Sequence, residues 1–157
     1  MYLRSYRLKN YRRLQDVHVE LDSDISIFVG ANNSGKTSAT QAIQMFLSGS
    51  KERFSLYDFS ARTWKILNAL GQADPSNDHR ALMPSISLDL WLEVRANDLY
   101  LVIPILPSSA WEGTQVGIRI EFATANAQLL LQKFREKRQE GLDRVAALPN
   151  GAGRYVP

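Results

Sequence analysis

The stretch GANNSGKT, residues 30 to 37, sets Gly30, Gly35, Lys36 and Thr37 in the spacing G-x-x-x-x-G-K-[ST]. Each residue type at that spacing suits an anionic phosphate. Glycines accept backbone angles that a Cβ forbids, so consecutive N–H groups can turn inward as an anion-binding nest. A helix beginning near Gly35 adds the positive end of its dipole. Lys36 brings a mobile point charge to the β- and γ-phosphates. The Thr37 hydroxyl is a hard oxygen ligand suited to Mg²⁺, and Ser38 can donate to an α-phosphate. The bland alternative is a glycine turn that binds nothing. No packing need calls for lysine directly after glycine at a helix start, so the phosphate reading is preferred.

Such a loop hydrolyses nothing unaided. Phosphoryl transfer also requires an acidic Mg²⁺ ligand and a group that orients water. Two stretches come near the form of a strand ending in an acid, LWLEV at Glu93 and GIRIEF at Glu121, but polar residues alternate through both. Both carboxylates read as solvent-facing strand residues. No catalytic residue is assigned in this chain, and the loop reads as half of an ATPase site.

The elements that must hold the loop follow from periodicity. Tyr2 to Asn10 reads as a strand, with Tyr6 and Leu8 on one face and Arg7 and Lys9 on the other. Val17, Val19 and Leu21 alternate with His18, Glu20 and Asp22, which predicts a half-buried strand. NYRRLQD between them is short enough for a hairpin connection. Ile25 to Val29 is a nearly continuous apolar run, as expected of a strand covered on both faces. After the loop, Ala39, Ala42, Ile43, Phe46 and Leu47 recur at helical spacing, and Ser48-Gly49-Ser50 ends that helix. Strand, glycine loop and helix thus stand in the order the motif requires.

Lys51 to Pro84 is the least regular part, with a short helix expected around Thr63 to Leu70 and a surface loop over GQADPSNDHR. Ile86, Leu88, Leu90, Leu92 and Val94 predict a half-buried strand, and Val116, Ile118, Ile120 and Phe122 another. In NDLYLVIPILP, Pro104 counts against a central strand. Asn97 as cap, with Leu99, Val102, Ile103 and Leu106 on one face, favours a helix ending near Pro104. Asn126 caps a last helix to Gln139, whose half KFREKRQE interleaves charges and reads as a solvated face. The tail LPNGAGRYVP has no periodicity and reads as a chain cut within a loop.

Composition bounds the class. A chain of 157 residues makes about one domain, its 45% apolar content supplies a core, and its 22% charged content argues against disorder. The net charge of +3 permits nucleic-acid contact without demanding it. The absence of cysteine excludes disulfides, thiolate metal sites and cysteine nucleophiles. His18 and His79 lack ligand spacing, so no zinc site is expected. The N-terminus MYLRSYRLKNYRR has no apolar signal region, and no apolar run reaches the ~18 residues that span a bilayer. A cytoplasmic location with no membrane partner is the expectation.

The opening YLRSYRLKNYRRLQDVHVELDSDISIFVGANNSGKTSATQAIQMFLSG resembles the N-terminal lobe of ABC-type ATPases of the SMC, RecF and OLD group. The resemblance rests on Asn10-Tyr11-Arg12 at the end of the first strand and on Asn32 two residues after Gly30. The form Asn-Asn-Ser-Gly-Lys-Thr with SLYDF at 55 to 59 is most similar to the OLD (overcoming lysogenization defect) family. ISLDLWLEV through LPSSAWEGTQVGIRIEF is similar to OLD-like ATPases associated with phage defence. The resemblance is specific over 1 to 60 and looser over 85 to 135.

It implies an α/β fold: a partial P-loop NTPase lobe of the ABC-type head, with antiparallel strands plus a P-loop strand and helix. The implied segments are 1–50 (hairpin, loop and first helix), 51–84 (irregular), 85–123 (β-rich), 126–140 (helix) and 141–157 (tail), together the N-terminal part of a longer ATPase domain. It implies ATP and Mg²⁺, contacted by Gly30, Asn32, Asn33, Ser34, Gly35, Lys36, Thr37 and Ser38, with Thr37 on the metal, Asn32 bracing the loop, and Arg12 or Arg13 leaning in from the hairpin. Its implied partners are the rest of the same domain or a second head, an effector or nuclease protein, and DNA. The signature motif, catalytic Glu, switch His and Toprim nuclease acids of the family are not recognisable here. Neither Gln72 nor Gln115 looks like its Q-loop glutamine. Two further readings stay open: a nucleotide-binding switch without turnover, and a DNA repair or maintenance ATPase. A small-molecule kinase is disfavoured, because half-buried alternating strands suit an antiparallel sheet.

Overall fold

The computed structural model describes residues 1–32, 34–49, 54–74, 80–108 and 110–147. Among these, the strands are β1 (Tyr2–Tyr11), β2 (Leu14–Glu20), β3 (Ile86–Glu93) and β4 (Gln115–Phe122). The helices are α1 (Lys36–Leu47), α2 (Ala61–Gln72), α3 (Leu99–Val102) and α4 (Ala127–Ala146). The chain divides into two compact units, Met1–Ser60 with Ile86–Phe122, and Ala61–Ser85 with Ala123–Pro157. The stretch 51–84 is thus shared between the units, parting at Ser60.

The first unit is built on an antiparallel sheet of order β2-β1-β3-β4. Its period of two sorts the side chains. Tyr6, Leu8, Ile86, Leu88 and Leu90 turn to one face and are buried, and Ala42 and Phe46 of α1 pack on them. Phe54 bridges this core, tilted on Phe46 at 4.8 Å and stacked on Phe122 at 4.7 Å. Burial of each large apolar side chain contributes roughly 1.5–3 kcal/mol relative to exposure. This face therefore fixes where α1, and with it the loop before α1, must lie.

The other face is polar. Arg7 grips Asp16 with two hydrogen bonds of 2.6 Å, and Arg119 grips Asp89 at 2.5 and 2.8 Å. β3 sits between β1 and β4, so Ile86 to Leu90 are buried on both faces, not on one as the alternation predicts. A central position covers Asp89 from its neighbours, and its partner Arg119 removes the cost of that burial.

Two expectations need correction. Ile25 to Val29 is not a strand: the segment is irregular, with Ile25, Ile27 and Val29 exposed at 77%, 81% and 90%. A fully covered strand needs neighbours on both edges, and no described strand pairs with it. The run between β3 and β4 is helical as expected, but as short pieces: a 3-10 turn over Ala96–Asp98, then α3, then a 3-10 turn over Ile103–Ile105. Asn97 is not the cap; Asp98 holds that position and makes no side-chain cap bond. Val102 is buried, but Leu99 and Ile103 face outward, because turns this short cannot keep one helical stripe inward.

The second unit contains α2 and α4. A Cβ on Gly71 would stand 2.2 Å from the Phe134 ring, so glycine lets the helices meet closely. Arg135 donates to the carbonyl oxygens of Gly71 and Ala73 at 3.0 and 3.2 Å, satisfying the open end of α2. Asn126 caps α4 as predicted, accepting from the Leu129 N–H at 2.9 Å. Both helices outrun their expected bounds of 63–70 and 126–139. Among the described residues no helix is long and apolar enough to cross a membrane. Asn33, residues 75–79 of GQADPSNDHR (His79 among them) and the tail from 148 lie outside the described residues.

Candidate phosphate-binding site

Gly35 is the N-cap of α1 and adopts φ +96°, a left-handed value that a side chain resists. A Cβ there would also meet Leu14 Cδ2 at 2.6 Å. Glycine is thus required twice, by backbone angle and by the floor that the hairpin provides. The first intrahelical bond runs from the Ala39 N–H to the Gly35 carbonyl at 2.9 Å. The N–H groups of Lys36, Thr37 and Ser38 precede it and have no partner within the helix. No side chain caps this end, and no acid lies in the first turn. An open, uncompensated helix start of this kind favours an anion.

Lys36 folds back over the loop. Its Nζ donates to the carbonyl oxygens of Gly30 at 2.6 Å and Ala31 at 2.9 Å, and to Ser34 Oγ at 3.3 Å. The ammonium thereby closes the loop around itself. Lys36 helps to line a cavity of about 370 Å³, together with Arg12, Arg13, Asn32, Ser34, Gly35, Thr37 and Ser38. Ten residues were expected to contact nucleotide, and eight of them line this cavity. Gly30 is not among the lining residues but accepts from Lys36 Nζ, and Asn33 lies outside the described residues. Among the described residues, three cations and no carboxylate form the wall.

The two hairpin arginines play different parts. Arg12 takes φ +50° in the turn, after Asn10 at φ +59°. Its Nε donates to Asp58 Oδ1 at 2.9 Å and its terminal nitrogen to Gln41 Oε1 at 2.8 Å, while the guanidinium lies 5.0 Å over the Tyr11 ring. Arg13 is exposed and makes no ion pair among the described residues. Asp58 and Gln41 are the residues that sequence reading missed here. Asp58 lay in the quoted SLYDF without an assigned role, and Gln41 is one polar residue among several on α1.

The phosphate fit is therefore chemical as well as geometric: a left-handed glycine, open helix N–H groups and three cations about one cavity. For Mg²⁺ the chain offers the exposed Thr37 hydroxyl, a single hard ligand. Among the described residues no three His, Cys, Asp or Glu gather as a metal cluster. Glu93 is remote from the cavity. It pairs with Tyr2 at the opposite end of β1 from Arg12, and it accepts a hydrogen bond from Gln115 at 3.0 Å. Glu121 belongs to the polar face, in register with Ser87.

The fold and cavity define an α/β protein with a cation-lined cavity at a helix start. Residues 1–144 match the family model AAA_15, an AAA ATPase domain, and the chain belongs to that family. It is 34% identical over 55 residues to the DNA replication and repair protein RecF of Clostridium tetani (strain Massachusetts / E88). That stretch is 35% of this chain and only 15% of RecF. A solved structure from work on the structural biochemistry of ATP-driven dimerization and DNA-stimulated activation of SMC ATPases is similar at 16% identity and TM-score 0.47. It spans all of this chain and 87% of its own. The family match and the RecF similarity support the broader part of the resemblance, the SMC/RecF/ABC-type ATPase group.

Proposed function

We propose that this chain is the ATP-binding lobe of an OLD-like ATPase acting in anti-phage defence. ATP with Mg²⁺ would be held between two heads to control an effector or nuclease. The observation that carries the ATP site is the cavity at the start of α1, with Lys36, Arg12 and Arg13 around it and no carboxylate among the described residues of its wall. In this reading Lys36 and the open N–H groups of α1 hold phosphate, Arg13 adds charge from the hairpin, and Thr37 offers its hydroxyl to the metal. Support for the OLD assignment is the Asn-Asn-Ser-Gly-Lys-Thr form with SLYDF.

The exposed apolar run at Ile25, Ile27 and Val29 favours a covering partner, either the rest of an ATPase domain or a second head. A cytoplasmic setting belongs to the same proposal. Titration with Mg²⁺ and ATP tests the site: Lys36→Ala is expected to weaken binding at least tenfold, and equal binding by both proteins would sink the reading.

A second reading is a nucleotide switch without turnover. It is favoured by the placement of Glu93 at the opposite end of β1 from Arg12 and of Glu121 on the polar face of the sheet. Phosphate release separates the two; sustained turnover by this chain alone excludes the switch. A DNA repair or maintenance role draws its support from the similarity to RecF. DNA-stimulated phosphate release would favour it over defence.

A further inference from the structure

We propose that Asp58 is a positioning residue of the phosphate site, holding the Arg12 guanidinium at the cavity wall with its remaining N–H groups free for a bound phosphate. The proposal rests on the reading of the cavity as an ATP site.

A guanidinium carries five N–H donors in a rigid fork. Asp58 takes one at Nε (2.9 Å) and Gln41 takes one at a terminal nitrogen (2.8 Å). The other three are on the terminal nitrogens of a side chain that lines the cavity. The carboxylate that directs them cannot swing away. Its second oxygen accepts from the Ser55 N–H at 2.9 Å and the Ser55 hydroxyl at 3.1 Å. The backbone repeats the tie: the Arg12 N–H donates to the Asp58 carbonyl at 2.7 Å, and the Ser60 N–H to that of Asn10 at 3.0 Å. Tyr11 and Phe59 add an isolated bridge between the same segments.

The exposures run in the direction the role requires. The Asp58 side chain is 7% exposed and that of Arg12 is 41% exposed, so the anchor is buried and the head it holds faces out. Gln41 lies on α1 one turn beyond Thr37, so the arginine is referenced to the same helix whose start forms the nest. The left-handed φ of Arg12 is a conformation that side chains resist. The bonds to Asp58 account for its persistence.

Mg²⁺ and ATP titrations of the full chain test this by a double-mutant cycle. Asp58→Asn and Arg12→Ala are each expected to weaken binding about tenfold, the scale of one charge-assisted hydrogen bond. The double variant is expected to be no worse than Arg12→Ala alone, a coupling that a merely structural role for Asp58 does not produce. Additive losses overturn the proposal. So does wild-type affinity in Asp58→Asn when Lys36→Ala binds weakly. Unchanged affinity in Lys36→Ala instead refutes the ATP site itself. Should Asp58→Asn fail to fold, Arg12→Lys decides, since lysine keeps the charge but cannot reach Asp58, Gln41 and phosphate together. A loss as large as that of Arg12→Ala sustains the role, and wild-type affinity overturns it.

Discussion

Leu14 leaves no room for a side chain at Gly35: a Cβ there would stand 2.6 Å from Leu14 Cδ2. The first residue of β2 thus fixes the approach of α1, and the glycine of the motif packs as well as turns. Gly35→Ala meets both the contact and the left-handed φ of +96°. We expect a loss of about 2 kcal/mol or more, read as a fall in thermal midpoint of several degrees for a chain of this size. Nucleotide binding should fall further than stability accounts for, because the helix start itself moves.

Arg12 and Arg13 are adjacent but should separate cleanly by experiment. Arg13→Ala removes an exposed charge with no ion pair among the described residues, so its stability should change by no more than about 0.5 kcal/mol. Its affinity for ATP should still drop several-fold and depend less steeply on salt. Arg12→Ala leaves the buried Asp58 carboxylate without its guanidinium, so it should cost about 1–3 kcal/mol as well as affinity. Thermal melts beside titrations check both. A stability loss in Arg13→Ala equal to that in Arg12→Ala would contradict the distinction.

Local pattern carried much of the fold. The alternation through Tyr6 and Leu8 and through Val116 to Phe122 is visible because a strand with one buried face repeats every two residues. The loop was legible because Gly35 and Lys36 answer a constraint that few other sites impose. Asp58 was not legible, since its role depends on a hairpin 46 residues away and nothing in SLYDF marks a buried acid. Asp89 was hidden likewise: its alternation reads as solvent-facing, while central placement in the sheet buries it. Ile25 to Val29 is the opposite case, a pattern suited to covered neighbours that the described chain does not supply.

The Asp89–Arg119 pair gives an acid signature. Hydrogen bonds from Arg119 hold the Asp89 carboxyl below the ordinary carboxylate range, aided by the charges of Arg119, Lys9 and Arg7 and opposed by burial. A carboxyl depressed in the folded state contributes stability above its unfolded pKa, near 4, and that stability is lost as pH falls through the folded value. The thermal midpoint should therefore change little through this pair between pH 7 and 5, then fall below about pH 4. Asp89→Asn should lower the midpoint at pH 7 by about 2–4 °C and flatten the acid limb. The effect is modest because the Arg119 side chain is 58% exposed and water screens it. An acid limb as steep in Asp89→Asn as in the wild type would assign the loss to other carboxylates, with Asp16 beside Arg7 the next to test.

Ile27 and Val29 are 81% and 90% exposed, so replacing them removes almost no buried area. The double variant Ile27→Lys, Val29→Lys should keep the wild-type thermal midpoint within about a degree, as surface substitutions do. If this run is a covered surface in the assembled protein, the wild-type chain should self-associate or bind an apolar dye with rising concentration. The double variant should do neither, a contrast that analytical ultracentrifugation reads directly. Should the variant instead lose several degrees of thermal midpoint, the segment packs within the chain in solution, and the case for a covering partner falls. Should both proteins stay monomeric and dye-free, the run requires no cover. An intact midpoint with abolished association supports a partner seated on residues 25 to 29, immediately before Gly30.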